Sequence, residues 1–202
     1  MVNKTRERLL DVARQLFARK GVDNTTINDI AAASDNGRRT VYTYFKSKTD
    51  IFNALVRQEA NLIIDRLKAV AHTQLPPEEK LTQFIFVRFE AVKEVVGRNG
   101  TLKAAFFNDI KRVEKVRRAN HVRETDILEQ ILTEGVARGS FAIKHVRPTA
   151  NVLLLSLEGL DIQYIRNSFA DLGIEQPVLR AYIKDFILHG ISCRPSPHIP
   201  TD

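Results

Sequence analysis

The sequence has few of the features that mark secreted, membrane or disulfide-linked proteins. A single cysteine, Cys193, excludes an internal disulfide framework and a zinc site built from several cysteines. The longest uncharged apolar run, Val152–Leu157, is interrupted by Ser156, whereas a membrane-spanning helix needs about 20 apolar residues. The N-terminus lacks the apolar core of a signal peptide. We therefore expect a cytoplasmic protein that does not enter a membrane.

Catalytic and metal-binding motifs are missing as well. The chain contains no His-Glu-x-x-His, no Gly-x-Ser-x-Gly, no P-loop and no Gly-x-Gly-x-x-Gly sequence. The histidines, at positions 72, 121, 145, 189 and 198, do not have the spacing of metal ligands. The sequence therefore predicts neither a catalytic site nor a metal or cofactor, although a helical enzyme remains an alternative.

Charge is concentrated at the start of the chain. Of the 202 residues, 44% are apolar and 27% charged, which is typical of a globular protein of one or two domains. Residues 1–48 carry ten lysines and arginines against five acidic residues, a net charge of +5, whereas the remaining 154 residues carry only +2. A basic head on a near-neutral body favours a polyanionic partner. A solvated basic surface without a partner is the alternative.

Helical spacing dominates the pattern of apolar residues, and no strand-like alternation of useful length occurs. A first helix has one apolar stripe, Leu9, Val12, Ala13, Leu16 and Phe17. Gly21 ends it, and Thr25 or Thr26 caps a short second helix. The turn formers Ser34–Gly37 precede a third helix that extends to about Phe45. The sequence therefore predicts three short helices at the N-terminus.

Longer helices are predicted for the rest of the chain. They cover about residues 50–75, 81–96, 113–139, 148–168 and 176–191, and a short segment around 104–110 separates the second from the third. Pro195, Pro197 and Pro200 indicate a flexible tail. The predicted fold is all-α, an N-terminal helix-turn-helix domain on a larger helical bundle.

The third helix has two different faces. Val41 and Phe45 are four residues apart and must face the small core. At about 100° per residue, Arg39 and Thr43 lie opposite Val41. The outward set consists of Arg38, Arg39, Thr40, Tyr42 and Thr43. Arginine can bind guanine through two hydrogen bonds and threonine methyls can contact thymine, so this face suits a DNA major groove. A solvated face is again the alternative.

At this point the first 55 residues resemble the tetracycline-repressor (TetR/AcrR) family of bacterial regulators. The resemblance rests on Leu16-Phe17 with Gly21, on Thr25–Ala31, on Thr40–Phe45 and on Lys46–Lys48. The turn departs from the family pattern of Ala-Gly-Val-Ser. Asn36 replaces an apolar residue there and Gly37 a capping serine, while Arg39 replaces a common glycine. We expect Asn36 to cap the third helix instead.

The resemblance implies how the head would bind DNA. The third helix would enter the major groove, with Arg38, Arg39, Thr40, Tyr42 and Thr43 facing bases and nearby phosphates. Thr25 or Thr26, Tyr44 and Lys48 would hold the DNA backbone, where free amides at helix starts also favour phosphate. The alternatives are that Lys48 is an ordinary surface lysine and that Tyr42 and Tyr44 pack on the domain core.

The resemblance also assigns two roles to the body. It implies a ligand pocket, for which we expect the lining residues Phe84, Phe89, Phe106, Phe107 and Tyr164. An ordinary core is the alternative for each of them. It implies a homodimer through the last two helices, with Leu153, Leu157, Leu160, Tyr164, Leu179, Tyr182, Ile183 and Phe186 at the interface. Because these helices are apolar on more than one side, they need burial on more than one side.

The sequence thus predicts a DNA-binding domain at 1–48, a ligand-binding and dimerisation domain at 49–192 and a flexible tail at 193–202. The expected function is that of a dimeric repressor of a palindromic operator in double-stranded DNA, released by a small molecule. A family member that activates transcription, or one without a ligand, is the main alternative. A helical adaptor that binds protein is a further one, against which the Arg38 and Arg39 face argues.

Overall fold

The computed structural model describes residues 2–98 and 110–191. Within these ranges the regular structure is helical and contains no β-strand. The helices are α1 Val2–Lys20, α2 Ile27–Ala33, α3 Arg38–Tyr44, α4 Lys48–Ala71, α5 Pro77–Arg98, α6 Ile110–Ala137, α7 Val146–Arg166 and α8 Gln176–Ile191, with a 3₁₀ turn at Ala170–Leu172. The all-α prediction is confirmed. In this described part of the chain, no helix is both long and apolar enough to cross a membrane.

The chain forms two compact units. The first unit comprises Met1–Asp65 and Ala91–His121, and the second comprises Arg66–Glu90 and Val122–Asp202. Their boundary falls within helices α4, α5 and α6. The sequence predicts a different boundary, at residue 48, between a DNA-binding domain and a ligand-binding domain. That boundary separates functions, and it stays a prediction. Phe106, Phe107 and the predicted tail lie outside the described residues.

Helix α2 begins with a capping box. The Thr26 hydroxyl accepts a hydrogen bond from the Asp29 amide at 3.1 Å, and the Asp29 carboxylate accepts one from the Thr26 amide at 2.8 Å. This exchange satisfies two amides that the helix itself leaves without partners. The bonds from the Thr26 amide and hydroxyl, with a smaller contribution from Lys20, lower the pKa of Asp29. The predicted Thr26 cap is therefore confirmed.

Helix α3 begins without a side-chain cap. Its N-cap is Gly37 in an extended conformation. The prediction that Asn36 caps α3 is wrong. The side-chain amide of Asn36 donates instead to the carbonyl of Ser34, two residues earlier, at 2.8 Å. Asp35 precedes Asn36 in the left-handed conformation, with φ of 57°. Asn36 therefore closes the turn and does not start the helix.

The first unit has an apolar core made by α1 to α4. Its fully buried members include Leu9, Leu10, Ala13, Phe17, Ile30, Val41, Phe45, Ile51 and Phe52. The Phe17 and Phe52 rings meet edge to face with centroids 6.2 Å apart. This core fixes the orientation of α3, because Val41 and Phe45 are both inside it. The predicted inner face of α3 is thereby confirmed.

The second unit has buried charge in its interior. Arg88 of α5 donates from Nε to Glu124 of α6 at 2.7 Å. Its two terminal nitrogens donate to the two Asp161 carboxylate oxygens of α7, at 2.6 and 3.1 Å. All three side chains are buried. Burial raises the pKa of Glu124, and its interaction with Arg88 opposes that effect. We call these three residues the Arg88 triad.

Candidate nucleic-acid interface

The outer face of α3 is exposed and carries no acidic residue. Arg38, Arg39, Tyr42 and Thr43 are exposed and Thr40 is half-buried, while Val41 on the opposite side is fully buried. The first unit thus presents two arginines, two threonines and a tyrosine on one short helix. These are donor and methyl groups that can contact base edges in a major groove.

Arg38 and Tyr42 form a pair on this face. The Arg38 guanidinium lies 5.5 Å from the centroid of the Tyr42 ring, and its Nη2 donates to the Tyr42 hydroxyl at 3.4 Å. Tyr42 is 45% exposed, so it does not pack in the core. Tyr44, in contrast, is half-buried and packs against the core of the first unit. The alternative of core packing therefore applies to Tyr44 and not to Tyr42.

The structure separates the two threonine candidates before α2. Thr25 is completely buried, and its hydroxyl donates to the Gly21 carbonyl at 2.7 Å. Thr25 therefore cannot reach a DNA phosphate, and its role is to hold the turn after α1. Thr26 is exposed at the start of α2. Of the two, only Thr26 could meet the DNA backbone, and its amide and hydroxyl both donate to the Asp29 carboxylate in the free protein.

Lys48 lies at the first residue of α4. Its ammonium donates to the Asp23 carbonyl at 3.0 Å, which ties the start of α4 to the loop before α2. An ammonium has three donors, so this bond leaves capacity for an anion. The Ser47 hydroxyl accepts a hydrogen bond from the Asp50 amide at 3.1 Å and thereby caps α4.

One basic residue near this surface was not singled out from the sequence. Arg6 of α1 places its guanidinium 5.3 Å from the centroid of the Phe45 ring, which directly follows α3. Its position between α1 and the end of α3 depends on tertiary packing. The sequence indicates Arg6 only as one of the ten basic residues in positions 1–48.

Three of the five aromatic residues assigned to a ligand pocket are described by the structure, and all three are buried in the second unit. Phe84, Phe89 and Tyr164 are at most 2% exposed. Phe89 and Tyr164 stack with centroids 4.6 Å apart. The Tyr164 hydroxyl donates to Glu90 at 2.6 Å and accepts from Gln176 at 3.2 Å. Burial and the neighbouring Glu90 raise the pKa of Tyr164 to about 12. These three side chains belong to the buried core, and their role in lining a ligand pocket stays a prediction.

An apolar groove of about 470 Å³ lies between α7 and α8. Six of the predicted dimer residues line it, namely Leu153, Leu157, Leu160, Tyr182, Ile183 and Phe186. Phe186 is 82% exposed and Tyr182 61%. Tyr164 and Leu179 are buried within the single chain and are not part of this lining. Leu157 and Ile183 are also buried in the single chain although they line the groove, so the assignment of all eight residues to a dimer interface stays a prediction.

Comparison with known proteins relates this architecture to bacterial regulators. The family model described as bacterial regulatory proteins, tetR family, matches residues 9–55. Over 142 residues the chain is 32% identical to the HTH-type transcriptional repressor KstR2 of Mycolicibacterium smegmatis, and this match covers 67% of each protein.

Solved structures share the fold over almost the whole chain. A transcriptional regulator of the TetR/AcrR family from Thermobifida fusca superimposes with a TM-score of 0.67 at 24% identity, covering 93% of this chain and 98% of that one. SmeT in its triclosan complex superimposes with a TM-score of 0.68 at 19% identity, covering 94% and 92%. At this identity the two structures establish the similarity of fold alone.

Proposed function

This chain belongs to the TetR family of bacterial transcriptional regulators, and from that premise we propose that it is a dimeric repressor which a small molecule releases from a palindromic operator. As a member of this family it is a DNA-binding regulator and not an enzyme. The observation that carries the proposal is the orientation of α3, which buries Val41 and exposes Arg39.

In the proposed complex α3 enters the major groove. Arg39 is exposed and lies opposite the buried face, so its guanidinium can reach a guanine edge. The Tyr42 ring and hydroxyl restrain Arg38 beside it. Thr40 and Thr43 supply methyl contacts. Lys48 and the start of α2 at Thr26 hold the phosphate backbone, which fixes the register without reading sequence.

A second copy would cover the groove between α7 and α8. An apolar side chain as exposed as Phe186 is costly to leave in water, and a symmetric interface would bury it against the same groove of the partner. Two α3 helices related by a two-fold axis then require a palindromic operator. Its half-sites would lie about one turn of DNA apart.

Ligand release would act through α4. This helix begins at Lys48 and continues without interruption to Ala71, so a ligand that displaces it displaces the DNA-contacting end. A ligand can shift DNA binding only by its different affinities for the two arrangements, typically about 1–3 kcal/mol of coupling. KstR2 is named a repressor, and SmeT was solved with triclosan. Both facts favour a ligand-released repressor over an activator or a member without a ligand.

The test begins with selection of bound DNA from a random pool, which yields the operator. Arg39→Ala should then lose specificity at one base-pair position, with a cost of about 1–3 kcal/mol there. Arg19→Ala removes the same charge from the exposed end of α1 and serves as the matched control. A pool without any enriched sequence, or an equal loss on operator and scrambled DNA for Arg39→Ala, would contradict the proposed base reading.

A further inference from the structure

We propose that a second groove, between α4, α5 and α8, binds a small organic anion with an apolar body. Its lining is made by Arg66, Ala69, Val70, Thr82, Gln83, Phe86, Val87, Glu90 and Arg180. We call it the Arg66–Arg180 groove. The binding itself is inferred from the groove alone, whereas its effect on DNA rests on the function proposed above.

The size and lining of this groove suit a small amphipathic molecule. Its volume is about 500 Å³, within the range of roughly 300–1,000 Å³ for small-molecule sites. Four of the lining residues are apolar, namely Ala69, Val70, Phe86 and Val87, and Val70 and Phe86 are buried. The other five lining residues are polar or charged. This combination binds an apolar body by burial and selects a polar head by specific contacts.

Two arginines from different helices supply the charge. The Arg180 guanidinium of α8 lies 4.5 Å from the centroid of the Phe86 ring. Contact with an aromatic face leaves the guanidinium N–H groups, which point outward in its own plane, able to donate. Arg66 contributes the second guanidinium from α4. Guanidinium groups in the lining favour a carboxylate, because an arginine can donate two parallel hydrogen bonds to it.

Glu90 is the one carboxylate in this lining, and it constrains where the anion can bind. It accepts the hydroxyl of Tyr164 at 2.6 Å. Burial and this bond raise the pKa of Tyr164 to about 12, so the hydroxyl is protonated and donates to Glu90 at neutral pH. The bond holds Glu90 at the Tyr164 side, and the head group belongs between the two arginines. Removal of the Glu90 charge should therefore strengthen binding of an anion.

The Arg66–Arg180 groove remains accessible in the proposed dimer. At about 100° per residue, Arg180 lies roughly 140° around α8 from the midpoint of Tyr182 and Phe186. A partner that covers those two residues therefore leaves this side of α8 uncovered. Arg66, in turn, is on the helix that begins at Lys48. An anion held by Arg66 and Arg180 would link that helix to the dimer helix α8.

Calorimetric titration with 2-naphthoate and with decanoate tests the binding. We expect saturable binding of at least one of them. Arg66→Gln and Arg180→Gln should each weaken it tenfold or more, Arg180→Lys should restore part of the loss, and Glu90→Gln should tighten it. Lys68→Gln removes one charge from α4 without touching the lining and should leave it unchanged. Circular dichroism confirms that each variant is folded.

Uncharged 2-naphthalenemethanol should bind at least tenfold more weakly than 2-naphthoate. Absence of saturable binding, equal binding of the alcohol, or indifference to both arginine variants would overturn the proposal. The same titrations with operator DNA present test the effector role separately. Linkage requires an effector to bind more weakly to the DNA complex. Arginine-dependent binding that operator DNA leaves unchanged would confirm the anion site and reject its role in release.

Discussion

The two units of this protein distribute charge in opposite ways. Among the described residues of the first unit, Glu59 is the one buried charged side chain, and the outer face of α3 is polar. The second unit buries the Arg88 triad and Lys80 but exposes Val152, Leu155, Tyr182 and Phe186. The first unit buries its apolar core within itself and exposes hydrogen-bond donors that could bind a polyanion. The second unit exposes apolar side chains that only a further partner could bury.

The Arg88 triad is costly to bury, so its contribution to the second unit is better sought in helix register than in net stability. Desolvation of three charged groups is expensive, and a buried ion pair often contributes less than apolar packing of the same volume. The bidentate geometry between Arg88 and Asp161, however, is satisfied in only one relative arrangement of α5 and α7. We infer that the triad fixes helix register in the second unit, a task that apolar packing performs in the first.

The largest effect is expected from a variant that removes the central residue of the Arg88 triad. Arg88→Met leaves Glu124 and Asp161 buried without their arginine and should lower the free energy of unfolding by about 3–5 kcal/mol. Urea unfolding measures it. Arg147, which bridges Asp126 and Glu129 on the surface, provides the control Arg147→Met with little effect. Neutralising Glu124→Gln and Asp161→Asn in the Arg88→Met background should restore part of the loss. Equal losses for Arg88→Met and Arg147→Met would refute the assigned role.

The second prediction concerns the exposed apolar face. Because Phe186 is 82% exposed in the single chain, Phe186→Glu should leave the fold intact but weaken dimerisation by at least about 2 kcal/mol, as for an interface hot spot. Sedimentation at low micromolar concentration should find a folded monomer with weak operator binding. Leu172→Glu alters a residue that is 73% exposed but does not line the groove, and it should remain a dimer. A Phe186→Glu protein that also stays dimeric would place the interface elsewhere.

A smaller effect is expected from the capping box in the first unit. Thr26→Ala should cost about 1 kcal/mol of stability, whereas Thr49→Ala, within the first turn of α4, should cost less. The loss of the hydroxyl bond should also move the lowered pKa of Asp29 upward. A lowered carboxylate pKa stabilises the fold above the unfolded-state pKa, and this stabilisation is lost as pH falls through the folded-state value. Urea unfolding and a carboxylate NMR titration measure the two effects. An unchanged pKa would show that the backbone bond alone sets it.

The smallest effect is expected from Lys48. Lys48→Ala should weaken binding to all DNA sequences alike and reduce the slope of log affinity against log salt by about one. Lys68→Ala, which removes a charge farther along α4, should leave the slope unchanged. Binding titrations at several salt concentrations provide the measurement. A loss restricted to the operator sequence would show that Lys48 acts on specificity, through its bond to the Asp23 carbonyl and the loop before α2.

Sequence patterns predicted the features that depend on near neighbours in the chain. The capping box at Thr26 spans three residues, and the inner face of α3 follows from the four-residue spacing of Val41 and Phe45. Gly21 at the end of α1 has the positive φ that favours glycine. Local hydrogen bonds and helical periodicity decide all of these, so they can be inferred without the fold. Asn36 is the exception, because its side chain donates to the Ser34 carbonyl and does not cap α3.

The tertiary structure alone decided which groups meet across long separations. Arg88 binds Glu124 and Asp161, which lie 36 and 73 positions away in the chain. The Arg66–Arg180 groove is likewise lined by residues of α4, α5 and α8. An apolar pattern showed that α7 and α8 need burial on more than one side. It did not show that Tyr164 and Leu179 are covered by their own chain while Phe186 remains exposed. Periodicity specifies the side of a helix on which a residue lies, but the element that covers that side is determined only when the helices pack.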